Sequence, residues 1–125
     1  MRLVRTPRGT VVISFERARQ TIKAKYVPRP PRDGETLLQV GRPQSASGDF
    51  IEYVRGDYLR LSSGPRVVVA AKPGFSRSGE GGSWMVWEQL LIVRPATQAD
   101  TDSVAEQVAA EERAGQKVMD DMMSR

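Results

Sequence analysis

Up to residue 95 the chain alternates short apolar blocks with proline- and glycine-rich breaks, and most of these blocks predict strands. Leu3-Val4, then Thr6-Pro7-Arg8-Gly9, then Thr10 to Phe15 read as strand, turn, strand, with proline and glycine placed as a type I turn prefers. Residues 14–27 fit two periods. As a strand, Ala18, Gln20, Ile22, Ala24 and Tyr26 face one way, and Arg17, Arg19, Thr21, Lys23 and Lys25 the other. As a helix capped by Ser14, Phe15, Ala18, Ile22 and Tyr26 share a face. Continuity with the preceding block favours the strand, which is the expectation carried forward; the propensities of Glu16 to Lys25 favour the helix.

Pro28-Arg29-Pro30-Pro31-Arg32-Asp33-Gly34 lacks three amide donors and reads as a stiff connection. Thr36 to Val40 is a short strand, Pro43 to Gly48 a loop, and Arg66 to Lys72 a strand expected in the middle of a sheet. Residues 74–83, GFSRSGEGGS, form a flexible connection. Ser83 to Arg94 carries the strongest strand pattern. Trp84, Val86, Leu90 and Ile92 alternate with Met85, Trp87, Leu91 and Val93, so burial on both faces is expected over part of its length. After Pro95 the composition turns helical. A capping-box pattern at Ser103-Val104-Ala105-Glu106 opens a helix to about Met123, whose stripe of Val104, Val108, Val118 and Met122 is interrupted at Glu111 and Gly115. The expected fold is α+β: a small curved antiparallel sheet or partly open barrel of five to seven strands, followed by a C-terminal helix. Residues 1–96 form the β-rich part and residues 97–125 the helix of the same single domain.

Composition narrows the chemistry. Cysteine and histidine are both absent, so there is no disulfide, thiol nucleophile, thiolate zinc site or imidazole base. Asp33-Gly34-Glu35 reads as a solvated turn, and GFSRSGEGGS lacks the Gly-Lys-Ser/Thr ending of a phosphate-binding P-loop. No catalytic residue, metal ligand or cofactor is assigned, and a non-enzymatic protein is expected. No apolar run is long enough for a membrane helix or a secretory signal, so cytoplasmic residence is expected.

Charge is uneven. Residues 1–32 carry nine cations against Glu16, residues 33–100 seven against eight anions, and residues 101–125 three against six, which together give the net +4. A basic end facing an acidic end points to a polyanion-binding surface with an acidic tail, or equally to attraction between the two ends, within the molecule or between copies. Candidate phosphate-binding groups are Arg2, Arg5, Arg8, Arg17, Arg19, Lys23 and Lys25. A second candidate is YVRGDYLRL, residues 53–61. If Gly56-Asp57 forms a two-residue hairpin loop, Tyr53, Arg55, Tyr58 and Arg60 project from one face. Aromatic and guanidinium groups interleaved on a β surface suit a single strand, bases stacking and phosphates pairing; the same four residues also make two cross-strand cation–π pairs that need no ligand. The expected function is nucleic-acid binding, with single strands favoured, through the basic N-terminal region and this hairpin face. The alternative is a protein-interaction or assembly module, such as a phage- or plasmid-type accessory, adaptor or inhibitor protein, docking through its acidic helix or basic end.

Overall fold

In the computed structural model, which describes residues 2–3, 10–43, 52–78 and 85–123, the chain begins with β1 (Arg2–Leu3), β2 (Val11–Val12) and α1 (Phe15–Thr21). A 3-10 turn (Ala24–Tyr26) precedes β3 (Thr36–Pro43), β4 (Asp57–Leu61) and β5 (Gly64–Ala71). β6 (Phe75–Ser78), β7 (Met85–Pro95) and α2 (Gln98–Met123) complete it. The described strands form one sheet in the order β1-β4-β5-β7-β3-β2, with β6 paired to β7. Every pairing is antiparallel except β1 with β4. The path has two free ends, so the fold is α+β with an open, curved sheet followed by a C-terminal helix.

β7 is buried on both faces, as its double apolar pattern predicts. Leu90 and Ile92 pack with Ile13, Ala18, Ile22, Val27 and Leu37. Leu91 and Val93, one residue out of phase, pack on the other face with Leu38, Val40, Tyr53, Leu59 and Val68. The first cluster is covered by α1, which corrects the strand expectation for residues 14–27. Ser14 decides the outcome: its Oγ accepts the Arg17 amide at 3.2 Å, satisfying one of the amides that a helix start leaves free. Once the helix is begun, Ala18 and Ile22 fall one turn apart and reach the sheet, both at 4% exposure or less.

The N-terminal strand–turn–strand is corrected too. β1 pairs with β4 and β2 with β3, at opposite ends of the strand order, so the two do not form a hairpin. The expected turn at residues 6–9 lies outside the described residues. α2 starts five residues before the expected box, because Thr97 and Asp100 supply a reciprocal cap of their own. The Thr97 amide donates to Asp100 Oδ2 at 2.8 Å, and the Asp100 amide donates to Thr97 Oγ1 at 3.2 Å. Its first turns pack Val104 against Tyr58 and Val67, and the Tyr58 hydroxyl lies 3.2 Å from Thr101 Oγ1.

Between β5 and β6 the ladder along β7 is interrupted at Lys72-Pro73-Gly74, where the proline has no amide to offer. Gly74 passes so close to the Trp87 indole that any Cβ there would collide with the ring. Opposite the gap, the buried Gln89 amide takes the place of a peptide group. Its Nε2 donates to the carbonyls of Tyr53 (2.6 Å) and Lys72 (3.0 Å), and its Oε1 accepts the Tyr53 amide at 2.9 Å. Gln89→Leu keeps the volume but removes the side-chain hydrogen bonds to three backbone groups. It is expected to destabilise the protein by roughly 2–4 kcal/mol, since each stranded buried group costs about 1–3 kcal/mol before relaxation and water entry. Urea unfolding of the variant measures this, and a change under about 0.5 kcal/mol would show that water or a shifted backbone replaces the amide.

Candidate nucleic-acid interface

α1 and the 3-10 turn pack Ala18, Ile22 and part of Tyr26 on the first cluster and leave their cations exposed. Arg17, Arg19, Lys23 and Lys25 are all exposed, with Glu16 the sole acid among residues 10–32. Glu16 Oε2 pairs with Arg19 at 3.4 Å, a surface contact of little energetic weight. Among the described residues, the Arg17 and Lys23 side chains have no hydrogen-bond or ion-pair partner. Half-buried aromatics border the cations. The Arg19 guanidinium lies 5.5 Å from the Phe15 ring centre and Lys25 Nζ 5.0 Å from that of Tyr26. Tyr26 in turn stacks on Phe75, with centroids 4.0 Å apart and planes inclined at 19°. Of the expected site residues, these four cations are exposed on one short stretch of chain, Arg17 and Arg19 on opposite flanks of the buried Ala18.

The YVRGDYLRL face does not form. Its hairpin turns at Ser62-Ser63, with Leu61 opposite Gly64 and Arg60 opposite Pro65, while residues 54–57 make a separate β-turn closed by the Asp57 amide on the Val54 carbonyl at 3.1 Å. Gly56 supplies the positive φ of 94° that this turn requires. Tyr53 and Tyr58 are core residues, 4% and 3% exposed, and belong to different clusters. Neither ring is open to a base. Arg60 is exposed on β4, and Arg55 is exposed at the tip of the turn.

The reason lies in Asp57. Its carboxylate is 1% exposed and accepts Arg2 Nε and Nη2, each at 2.7 Å, together with the Val54 amide at 2.9 Å. Arg2 also donates to the Glu52 carbonyl. A buried carboxylate demands this compensation, so Arg2 is a structural cation rather than a free phosphate ligand, and its own pKa is raised by the bond to Asp57. Arg5 and Arg8 lie outside the described residues. Arg2→Ala should cost roughly 1–3 kcal/mol of folding stability, less than the 3–5 of a fully buried pair because Arg2 is half exposed. Chemical unfolding reads this directly, and an unchanged midpoint would return Arg2 to the list of available surface cations.

The same device occurs twice more. Glu35 Oε1 accepts the Arg32 amide at 2.8 Å, three residues back across the Gly34 turn, and its two oxygens take Arg29 Nη1 and Nη2 at 2.7 and 3.1 Å. Asp100, besides capping α2, accepts Arg94 Nη1 at 2.8 Å. Both carboxyls are held at about 2, Glu35 by the Arg29 bond first and then the Arg32 amide, Asp100 by the Arg94 bond first and then the Thr97 amide. Sequence reading passed over Arg29, Arg32 and Arg94. The available signal was an acid three residues after a turn's first residue, with an arginine at most six residues before it. Both acids bind protons more weakly when folded than when unfolded. Their stabilisation is therefore complete above the ordinary carboxylate range and is lost as pH falls through about 2. The unfolding midpoint of Glu35→Gln should lie below wild type at pH 7 and converge on it towards pH 2. A constant gap across that range would mean the ion pair is not the source of the difference.

No helix among the described residues is long and apolar enough to cross a membrane, and no three acidic side chains there are grouped so as to hold a metal ion. Compared with protein-family models, curated proteins and solved structures, the chain finds no match in any of the three.

Proposed function

We propose that this is a small, non-enzymatic, cytoplasmic binding protein that holds nucleic acid by its phosphate backbone on the outer face of α1 and the 3-10 turn. The observation that carries the reading is the exposure of Arg17, Arg19, Lys23 and Lys25 within nine residues of chain, with a single acid among them. Exposed arginine and lysine side chains meet phosphates without reading bases. A preference for single strands rested on Tyr53 and Tyr58, and their burial removes that support. Tyr26 and Phe75 already stack on each other, so a base would have to displace a ring or Lys25 to stack there. Charge, and not base identity, governs this interface.

Replacing both Arg17 and Lys23 by glutamine removes two cations that hold nothing in the free protein. The slope of log affinity against log salt should fall by roughly 0.9 per lost duplex contact, with little change in folding. Titration of random-sequence DNA at several salt concentrations measures this, and an unchanged slope places the interface elsewhere. A second reading, docking on a protein partner, is favoured by one observation: residues 110–115 of α2 are all exposed, Glu111 and Glu112 among them, and the helix continues to Met123. A protein that binds no oligonucleotide even at low salt would leave that reading standing.

A further inference from the structure

A groove of about 560 Å³ opens beside the Pro28–Gly34 connection, lined by Arg29, Arg32, Glu35, Arg55, Arg94, Gly56 and residues 67–69 of β5. Its four guanidiniums arrive from three separate stretches of chain, and each stretch is fixed by one of the carboxylate devices described above. Arg29 and Arg32 flank the turn held by Glu35, and Arg55 sits at the tip of the turn held by Asp57. Arg94 is fixed by Asp100. Beneath them, β5 carries a bulge between Val68 and Ala70, and the Gly56 amide donates to the Val68 carbonyl at 2.8 Å, which brings the Arg55 turn against the groove floor.

The two members of this set at turn positions are different from the other two. Arg29 and Arg94 are neutralised by their carboxylates, whereas Arg32 and Arg55 are exposed and make no side-chain hydrogen bond or ion pair among the described residues. Four guanidiniums against Glu35 and Asp100 leave two positive charges over one groove. Like charges gathered on rigid turns repel one another, and a bound anion relieves that repulsion without having to order the site first. We infer that this groove is a binding site for a dianionic phosphate, either inorganic phosphate or a phosphate monoester, clasped by Arg32 and Arg55 and steadied by the fixed pair. The charge matches a phosphate monoester, which carries about −1.5 to −2 at neutral pH, better than a diester with its single charge. Planar guanidinium forks suit the oxygen geometry of the phosphate group. None of the α1 cations lines this groove, and the inference does not depend on the nucleic-acid reading.

Melting of the full-length chain, followed while inorganic phosphate replaces chloride at constant ionic strength and pH 7.5, tests it. The melting temperature should rise and saturate, as it does for a ligand that binds only the folded state. Arg32→Gln and Arg55→Gln should each weaken the apparent affinity by roughly tenfold or more, the loss of a charged hydrogen bond. Arg17→Gln should leave it unchanged. Dimethyl phosphate, a diester, should give no saturating rise. A nucleoside monophosphate that binds more tightly than inorganic phosphate assigns the site to a phosphate carried on an organic group; equal affinity assigns it to the free ion. The proposal is overturned if phosphate acts no differently from chloride, if the two groove variants titrate like wild type, or if Arg17→Gln weakens binding as they do. Oligonucleotide binding retained in a protein that ignores phosphate would remove the groove and leave the α1 interface untouched.

Discussion

Gln89 is the residue on which the sheet's continuity depends. β7 must hold β3 along one edge and both β5 and β6 along the other, yet the β5–β6 strand breaks at a proline that cannot supply a ladder bond. A side-chain amide has the same donor and acceptor pair as a peptide group, so a glutamine at this point of β7 closes the gap from the opposing strand. It also does what a peptide group in the ladder could not. By pairing with both the amide and the carbonyl of Tyr53, it draws residues 52–54 over the second core cluster and seats the Tyr53 ring among Leu38, Leu59 and Leu91. A phenolic ring expected at the surface is thus in the interior because of a hydrogen bond made by a residue 36 positions away.

Three carboxylates do comparable work at the periphery. Glu35, Asp57 and Asp100 each accept the amide of the residue three before them and each bind an arginine. One acid thereby shapes a turn and orders a guanidinium together. An exposed ion pair alone is a weak source of stability, but here the carboxylate is already fixed by the backbone, so only the arginine pays the ordering cost. The basic character of the chain is in this way divided: Arg2, Arg29 and Arg94 are structural, and Arg17, Lys23, Arg32 and Arg55 remain available.

The strands were legible where period and composition agreed. β5 and β7 carry runs of β-branched and large apolar residues whose alternation can be satisfied only by burial, and both lie where the pattern puts them. α1 was ambiguous because Ala18, Ile22 and Tyr26 satisfy a period of two and a period of four equally, and the deciding term was a cap, Ser14, three residues from its donor. The YVRGDYLRL face was misread for a different reason. Its local signals do specify a turn with Gly56 at a positive φ, but whether a tyrosine beside that turn is exposed depends on Gln89, Val67 and Val104, which come later in the chain. The cations of α1 and the 3-10 turn were legible as composition and not as geometry, since Phe75, which stacks on Tyr26, comes from the glycine-rich stretch read as a loop.

The parallel pairing of β1 with β4 has a consequence for the order in which the molecule assembles. Arg2 and Asp57 are separated by 55 positions, and the strand that receives Arg2 is itself held by β5, which comes later still. Closing so long a loop is slow compared with forming the β4–β5 hairpin, whose ends are adjacent. Arg2 and Leu3 are therefore among the last residues to take their places in the sheet. Until they do, Asp57 has no cation and stays in water, and β4 has an unguarded edge. The arrival of Arg2 desolvates the one and covers the other in a single step, so a two-residue strand acts as the latch that completes the fold.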